Sequence, residues 1–173
     1  MHLVRFVLFI VLPLAFAVSP QYSVHLPCST TDPTEENYVE ACLQKKYCPG
    51  HEVDERLQGK IFADFLETLY GEKNVSKAFE TYVDLNVIEH DPDDTQDRDA
   101  IVARLSQIIP FANMTILSSN FNNNIGLAHV KVNEDPEPAA LADIYRMEGT
   151  CIVEHWDVIQ FRPANSINPI AMF

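Results

Sequence analysis

From Val53 onward apolar side chains recur at three- and four-residue steps, at Leu57, Ile61, Phe65, Leu66 and Leu69, until Gly71 closes the run. That spacing predicts a helix with one buried stripe. Asn74 is placed to cap a second helix whose Val75, Ala78, Phe79, Tyr82 and Val83 share a face, and a short apolar piece, Val87-Ile88, follows it. The aspartates between Asp91 and Asp99 offer caps for a further helix, with Ile101, Leu105 and Ile108 on its buried side and Pro110 as its stop. A shorter helix is expected from Glu35 to about Lys46, broken by Cys48-Pro49-Gly50. Beyond Pro110 the period changes from about 3.6 to about 2. Strands are expected at 114–121, 125–133, 139–147 and 151–161, with turns at Asn122-Asn123-Asn124, around Pro136 and Pro138, and at Glu148-Gly149-Thr150. Helices followed by an antiparallel sheet give an α+β fold class.

Alternation within the strands sorts side chains by face, and several ionisable groups fall on apolar faces. His129 shares a face with Ile125 and Leu127; Asp143 with Leu141, Tyr145 and Met147; His155 and Asp157 with Val153, Ile159 and Phe161. A buried aspartate must be paired, hydrogen-bonded or raised in pKa. An imidazole beside it supplies a partner, and the two together are equipment for moving a proton. The register of the last hairpin decides who meets whom. A turn of Glu148, Gly149 and Thr150 sets Met147 against Cys151 and Asp143 against His155, and is favoured because it gathers the ionisable groups on one side. A two-residue turn sets Asp143 against Glu154.

The first residues read differently from the rest. Met1 to Arg5 carries one base, Phe6 to Phe16 is apolar, and Ala15-Phe16-Ala17 is a small-x-small cleavage site, so residues 1–17 are expected to be a secretory signal peptide. The apolar run is shorter than the ~20 residues of a spanning helix and Pro13 interrupts it, so no stable membrane association is expected after cleavage. Residues 18–52 then form a cysteine-bearing extension, and 53–173 one domain. With 25 acidic against 12 basic residues and a net charge of -13, the chain has no basic stripe, which argues against nucleic acid as a partner. Cys28, Cys42, Cys48 and Cys151 are an even set suited to two disulfides in an oxidising compartment, with three pairings open. Asn74-Val75-Ser76 and Asn113-Met114-Thr115 are glycosylation sequons. No Cys-x-x-Cys pair exists, and His90, His155 and Asp157 follow no ligand pattern, so no metal is expected.

Asp143-Ile144-Tyr145-Arg146, a short turn, and Ile152 through Gln160 with Glu154-His155-Trp156-Asp157 at its centre resemble the carboxy-terminal hairpin of SnoaL-like proteins, in the nuclear transport factor 2-like superfamily. Ile88-Glu89-His90-Asp91-Pro92 is similar to a short segment of that family, with Glu89 and Asp91 in place of its usual amides, and Ala171-Met172-Phe173 is similar to its ending. The resemblance spans roughly residues 55–173. It implies a cone: a curved, mostly antiparallel sheet wrapped around the helices, with an apolar cavity open at one end. It also implies a catalytic Asp143 as general acid/base, assisted by His129, in a cofactor-free aldol-type cyclisation, isomerisation or dehydration. His90, Tyr145, His155, Trp156 and Asp157 are the candidate substrate contacts. The expected partner is a small apolar or carbonyl-containing molecule, polyketide-like in the family's enzymes. The alternatives are a ligand-binding cone without turnover and a structural module whose sheet face is covered by a second copy.

Overall fold

The computed structural model describes residues 46–133, 136–168 and 170–173. The expected signal peptide, Cys28, Cys42 and nearly all of the helix expected at 35–46 lie outside the described residues. Helix α1, Glu55–Leu66, is capped by Asp54, whose side chain accepts from the Leu57 amide, and runs into a π-helical turn, Glu67–Gly71. Helix α2, Val75–Tyr82, is capped by Asn74 through the Lys77 amide, and strand β1, Val83–Glu89, follows directly. Helix α3, Arg98–Ile108, starts at Asp97, which accepts from two backbone amides. Four strands complete the chain: β2 Asn113–Asn122, β3 Ile125–Asn133, β4 Ala139–Glu148 and β5 Cys151–Phe161.

The strands make one curled, unclosed sheet in the order β1-β5-β4-β3-β2, in which β1 runs parallel to β5 and the other pairs are antiparallel. This is the expected α+β cone. Phe62, Phe65, Ile61 and Leu69 of the first helix and its π-helical turn press into the inner face of the sheet against Val130, Tyr145, Met147 and Ile152. Each such buried side chain contributes roughly 1.5–3 kcal/mol. The closest approach is at Gly126, where a Cβ would stand 2.6 Å from the Phe62 ring. A glycine there is the condition for the helix to seat.

Three expectations need correction. Val83 opens β1 rather than extending α2, so Val87-Ile88 is part of a full strand. Ile108 is not buried by protein, and Leu105 only partly, because α3 stands at the cavity rim and both side chains border the cavity. The last hairpin uses neither register weighed above throughout. Glu148 pairs with Cys151 across Gly149 and Thr150, and a register shift then resets the ladder so that Tyr145 faces His155 and Asp143 faces Asp157. The tip is a two-residue turn, but of Gly149 and Thr150 and not in the register that sets Asp143 against Glu154, and the bulge restores the face that the longer turn was favoured for. Gly149 takes φ +55°, and any Cβ would strike the His51 carbonyl oxygen.

Residues 46–51 pack on this hairpin. Tyr47 donates its amide to the Thr81 carbonyl at 2.8 Å, Thr150 Oγ1 donates to the Tyr47 carbonyl at 2.6 Å, and the His51 amide donates to Thr150 Oγ1 at 3.1 Å. A disulfide joins Cys48 to Cys151 across a sequence separation of 103. Both glycosylation candidates, Asn74 and Asn113, are exposed.

Candidate active site

Between the inner face of the sheet and the helices lies a cavity of about 550 Å³. Leu69, Phe79, Val87, Leu105, Leu141 and Ile152 make its walls apolar, and a connected set of polar side chains occupies one side of it. Alternation on β4 and β5 turns Asp143, Tyr145, His155 and Asp157 inward. On β1 the same alternation turns Val87 and Glu89 inward.

His155 is the hub. Its Nδ1 lies 2.8 and 3.0 Å from the two oxygens of Glu89, and its Nε2 lies 3.5 Å from Asp143 Oδ1. Its ring stacks on Tyr145, with centroids 4.5 Å apart. Burial alone pushes this imidazole down, but hydrogen bonds and charge from Asp143 and Glu89 outweigh it and raise its pKa to about 10. His155 is therefore an imidazolium at neutral pH. Glu89 is held in turn by the backbone amides of His90 and Asp91, each 2.9 Å from Oε1. Asp143 is buried and accepts the hydroxyl of Tyr70, from the π-helical turn, with the Tyr145 hydroxyl 3.4 Å from the same oxygen. Both phenols are pushed well above their ordinary pKa, first by burial and then by the charge of Asp143. They are donors, locked in that role.

Asp157 is different. It lies on the cavity wall, and its carboxylate makes no hydrogen bond to the described residues. Burial, then the charge of Asp91, with smaller contributions from Asp143 and Glu89, raises its pKa to about 6 against the opposing pull of His155. A carboxyl that titrates near neutrality in an apolar cavity is suited to take up and return a proton. At the rim, Arg104 forms a fork on Asp94 and reaches Asp91 at 2.8 Å. These carboxylates raise its pKa further.

The expected site residues divide by face. Asp143, Tyr145, His155 and Asp157 converge on the cavity. His129 does not: Ala128 is the residue that pairs with Asp143, so His129 falls on the opposite face, where its ring stacks on Phe173 with centroids 6.4 Å apart. The expected Asp143–His129 pair is absent, and His155 stands in its place. His90 and Trp156 also lie on the outer face, their rings stacked with centroids 4.8 Å apart and His90 Nε2 2.9 Å from Glu154 Oε1. They are not cavity contacts. Two members of the site are not evident in the sequence pattern. Glu89 becomes legible only once its strand is recognised, and Tyr70 sits one position after the last residue of the helical stripe. Among the described residues the grouping at metal-ligand distances is Cys48, Asp84 and Cys151, and its two sulfurs are bonded to each other.

No family model and no curated protein sequence matches this chain. Solved structures do match its fold. A proposed ketosteroid isomerase from Kribbella flavida is 13% identical with a TM-score of 0.53, covering 67% of this chain and 85% of that one. AclR, a proposed hydroxylase from Streptomyces galilaeus, is 13% identical with a TM-score of 0.50, covering 64% and 83%. An NTF2-like protein of unknown function from Burkholderia xenovorans is 12% identical with a TM-score of 0.50, covering 61% and 86%. At these identities the likeness establishes the fold.

Proposed function

From the nuclear transport factor 2-like fold as premise, we propose that this chain is an acid/base enzyme that moves a proton on a small, largely apolar carbonyl compound. Aldol-type cyclisation, isomerisation and dehydration all begin with such a step, and none of them calls for a cofactor. The observation that carries the reading is the apolar cavity in which Asp157, titrating at about 6, stands on the wall that holds the Asp143–His155–Glu89 set. In this reading Asp157 takes the proton next to the carbonyl. The long 3.5 Å contact of His155 Nε2 leaves that N–H able to turn its hydrogen bond toward an enolate oxygen as charge develops there. Asp143, with Tyr70 and Tyr145, positions the imidazolium. The family resemblance assigns proton transfer to Asp143; the satisfied hydrogen bonds of that carboxylate favour Asp157 instead.

The structures similar in fold include proteins proposed to be an isomerase and a hydroxylase, which supports small-molecule chemistry in the cavity. Secretion belongs to the same proposal and is supported by the leader pattern at residues 1–17 and the Cys48–Cys151 disulfide. A homodimer is also part of it. Ile88 and Leu127, on the outer face with Trp156, are 45% and 43% exposed, an apolar surface that a second copy would cover.

The test is exchange of the α-hydrogens of a cyclic aryl ketone such as 2-tetralone for deuterium, followed by NMR. The protein should accelerate exchange, and Asp157→Asn should lose at least ~100-fold of that acceleration while still binding the ketone. The pH profile has a definite sign. A base is active when ionised, so kcat/KM should fall as pH drops through about 6. Binding without any exchange would assign the cavity to a ligand carrier.

A further inference from the structure

The charge around the cavity is unbalanced. Six carboxylates border it, Glu89, Asp91, Asp93, Asp94, Asp143 and Asp157, against two cations, Arg104 and His155. Both cations are already committed, Arg104 to Asp94 and Asp91 and His155 to Glu89 and Asp143. Asp93 and Asp157 form no salt bridge among the described residues, although Asp157 lies in the field of His155. An apolar-walled cleft with charge of one sign focuses its field into the opening. The burial that makes the walls suit an apolar body also makes that field stronger than it would be in water.

We propose that the cavity selects compounds that join an apolar body to a protonated amine and rejects those that carry a carboxylate. This rests on the acid/base reading above and narrows it: the carbonyl substrate is an amine-bearing one. The ammonium would lie in the field of Asp93, Asp91 and Asp157 at the mouth, and the apolar body among Leu69, Phe79 and Leu141. The raised pKa of Asp157 is consistent with this, since burial and the facing charges of Asp91, Asp143 and Glu89 oppose its ionisation, and a cation relieves that opposition. A carboxylate ligand would add a further negative charge to the same space, at a cost that Arg104 and His155, both already paired, do not offset.

The proposal is tested by calorimetric titration of the full chain with three compounds sharing one skeleton, 2-aminotetralin, 2-tetralone and tetralin-2-carboxylate, near neutral pH. The amine should bind at least ~10-fold more tightly than the carboxylate, with the ketone between them. Asp93 is exposed on the rim and outside the proton-transfer machinery. Asp93→Lys should cut the preference for amine over carboxylate by about threefold or more, with thermal unfolding unchanged. Equal binding of amine and carboxylate, or a preference that Asp93→Lys leaves intact, overturns the charge selection. Ketone binding with no amine preference overturns this inference alone, whereas failure of all three compounds to bind overturns the acid/base reading with it.

Discussion

Replacing Glu89 by glutamine isolates what a single charge does to the hub of the site. The new amide keeps an oxygen able to accept from the His90 and Asp91 backbone, so the chain around it is preserved while the charge on the 2.8 Å side of His155 is removed. The interval from the ordinary imidazole value of 6.5 to about 10 corresponds to on the order of 5 kcal/mol favouring the imidazolium, divided between Asp143 and Glu89. Glu89 is the closer partner, because Asp143 acts across 3.5 Å. Its loss should therefore remove about half of that preference and lower the His155 pKa by about 2. The sign for stability follows from linkage. A group whose folded pKa is raised contributes fully below 6.5 and loses its contribution as pH rises through about 10. At pH ~8 wild type should retain about half of this contribution and the variant almost none of it, a difference of ~2–3 kcal/mol. Ring carbon and nitrogen shifts of His155 followed by NMR, with urea unfolding at pH ~6 and ~8, read both quantities. A variant whose His155 titrates together with that of wild type would refute the paired-carboxylate account of the hub.

Tyr70→Phe should cost about 1–3 kcal/mol in urea unfolding, because buried Asp143 loses its main neutral donor. His129→Ala should leave deuterium exchange within about twofold of wild type, whereas His155→Gln should lower it by ~100-fold; equal effects would restore His129 to the mechanism. Gly126→Ala should destabilise by about 1–3 kcal/mol, measured by thermal unfolding, since its Cβ meets the Phe62 ring. Replacing both Cys48 and Cys151 by serine opens a loop spanning a sequence separation of 103. Chain entropy sets that effect at up to ~5 kcal/mol, and the variant should unfold like the reduced wild type.

The helices and strands are legible in the sequence because their apolar periods are undisturbed, and the four long strands differ from expectation by one residue at most at any end. Faces are harder. On β3 the larger apolar residues Ile125 and Leu127 share a face with His129, which makes that face look like the inner one. The inner face instead carries Gly126 and Ala128, and Gly126 leaves the room that the Phe62 ring occupies. One strand's alternation gives two faces but not which of them meets the helices; that is decided by packing volume. The bulge in β5 is equally hidden, since the alternation of side chains does not mark where the register shifts. Glu89 escapes notice because Val87-Ile88 looks too short for a strand, and only parallel pairing with β5 gives that segment its length.

That parallel pairing also dictates an order of events. Among the described residues β1 pairs with β5, the last strand of the sheet, so Glu89 has no His155 to hold until nearly the whole chain is made. Cys151, which begins β5, carries the bond to Cys48. The disulfide and the charged hub thus meet on one strand: the covalent link anchors the start of β5, and the parallel pairing of that strand with β1 sets Glu89 against His155.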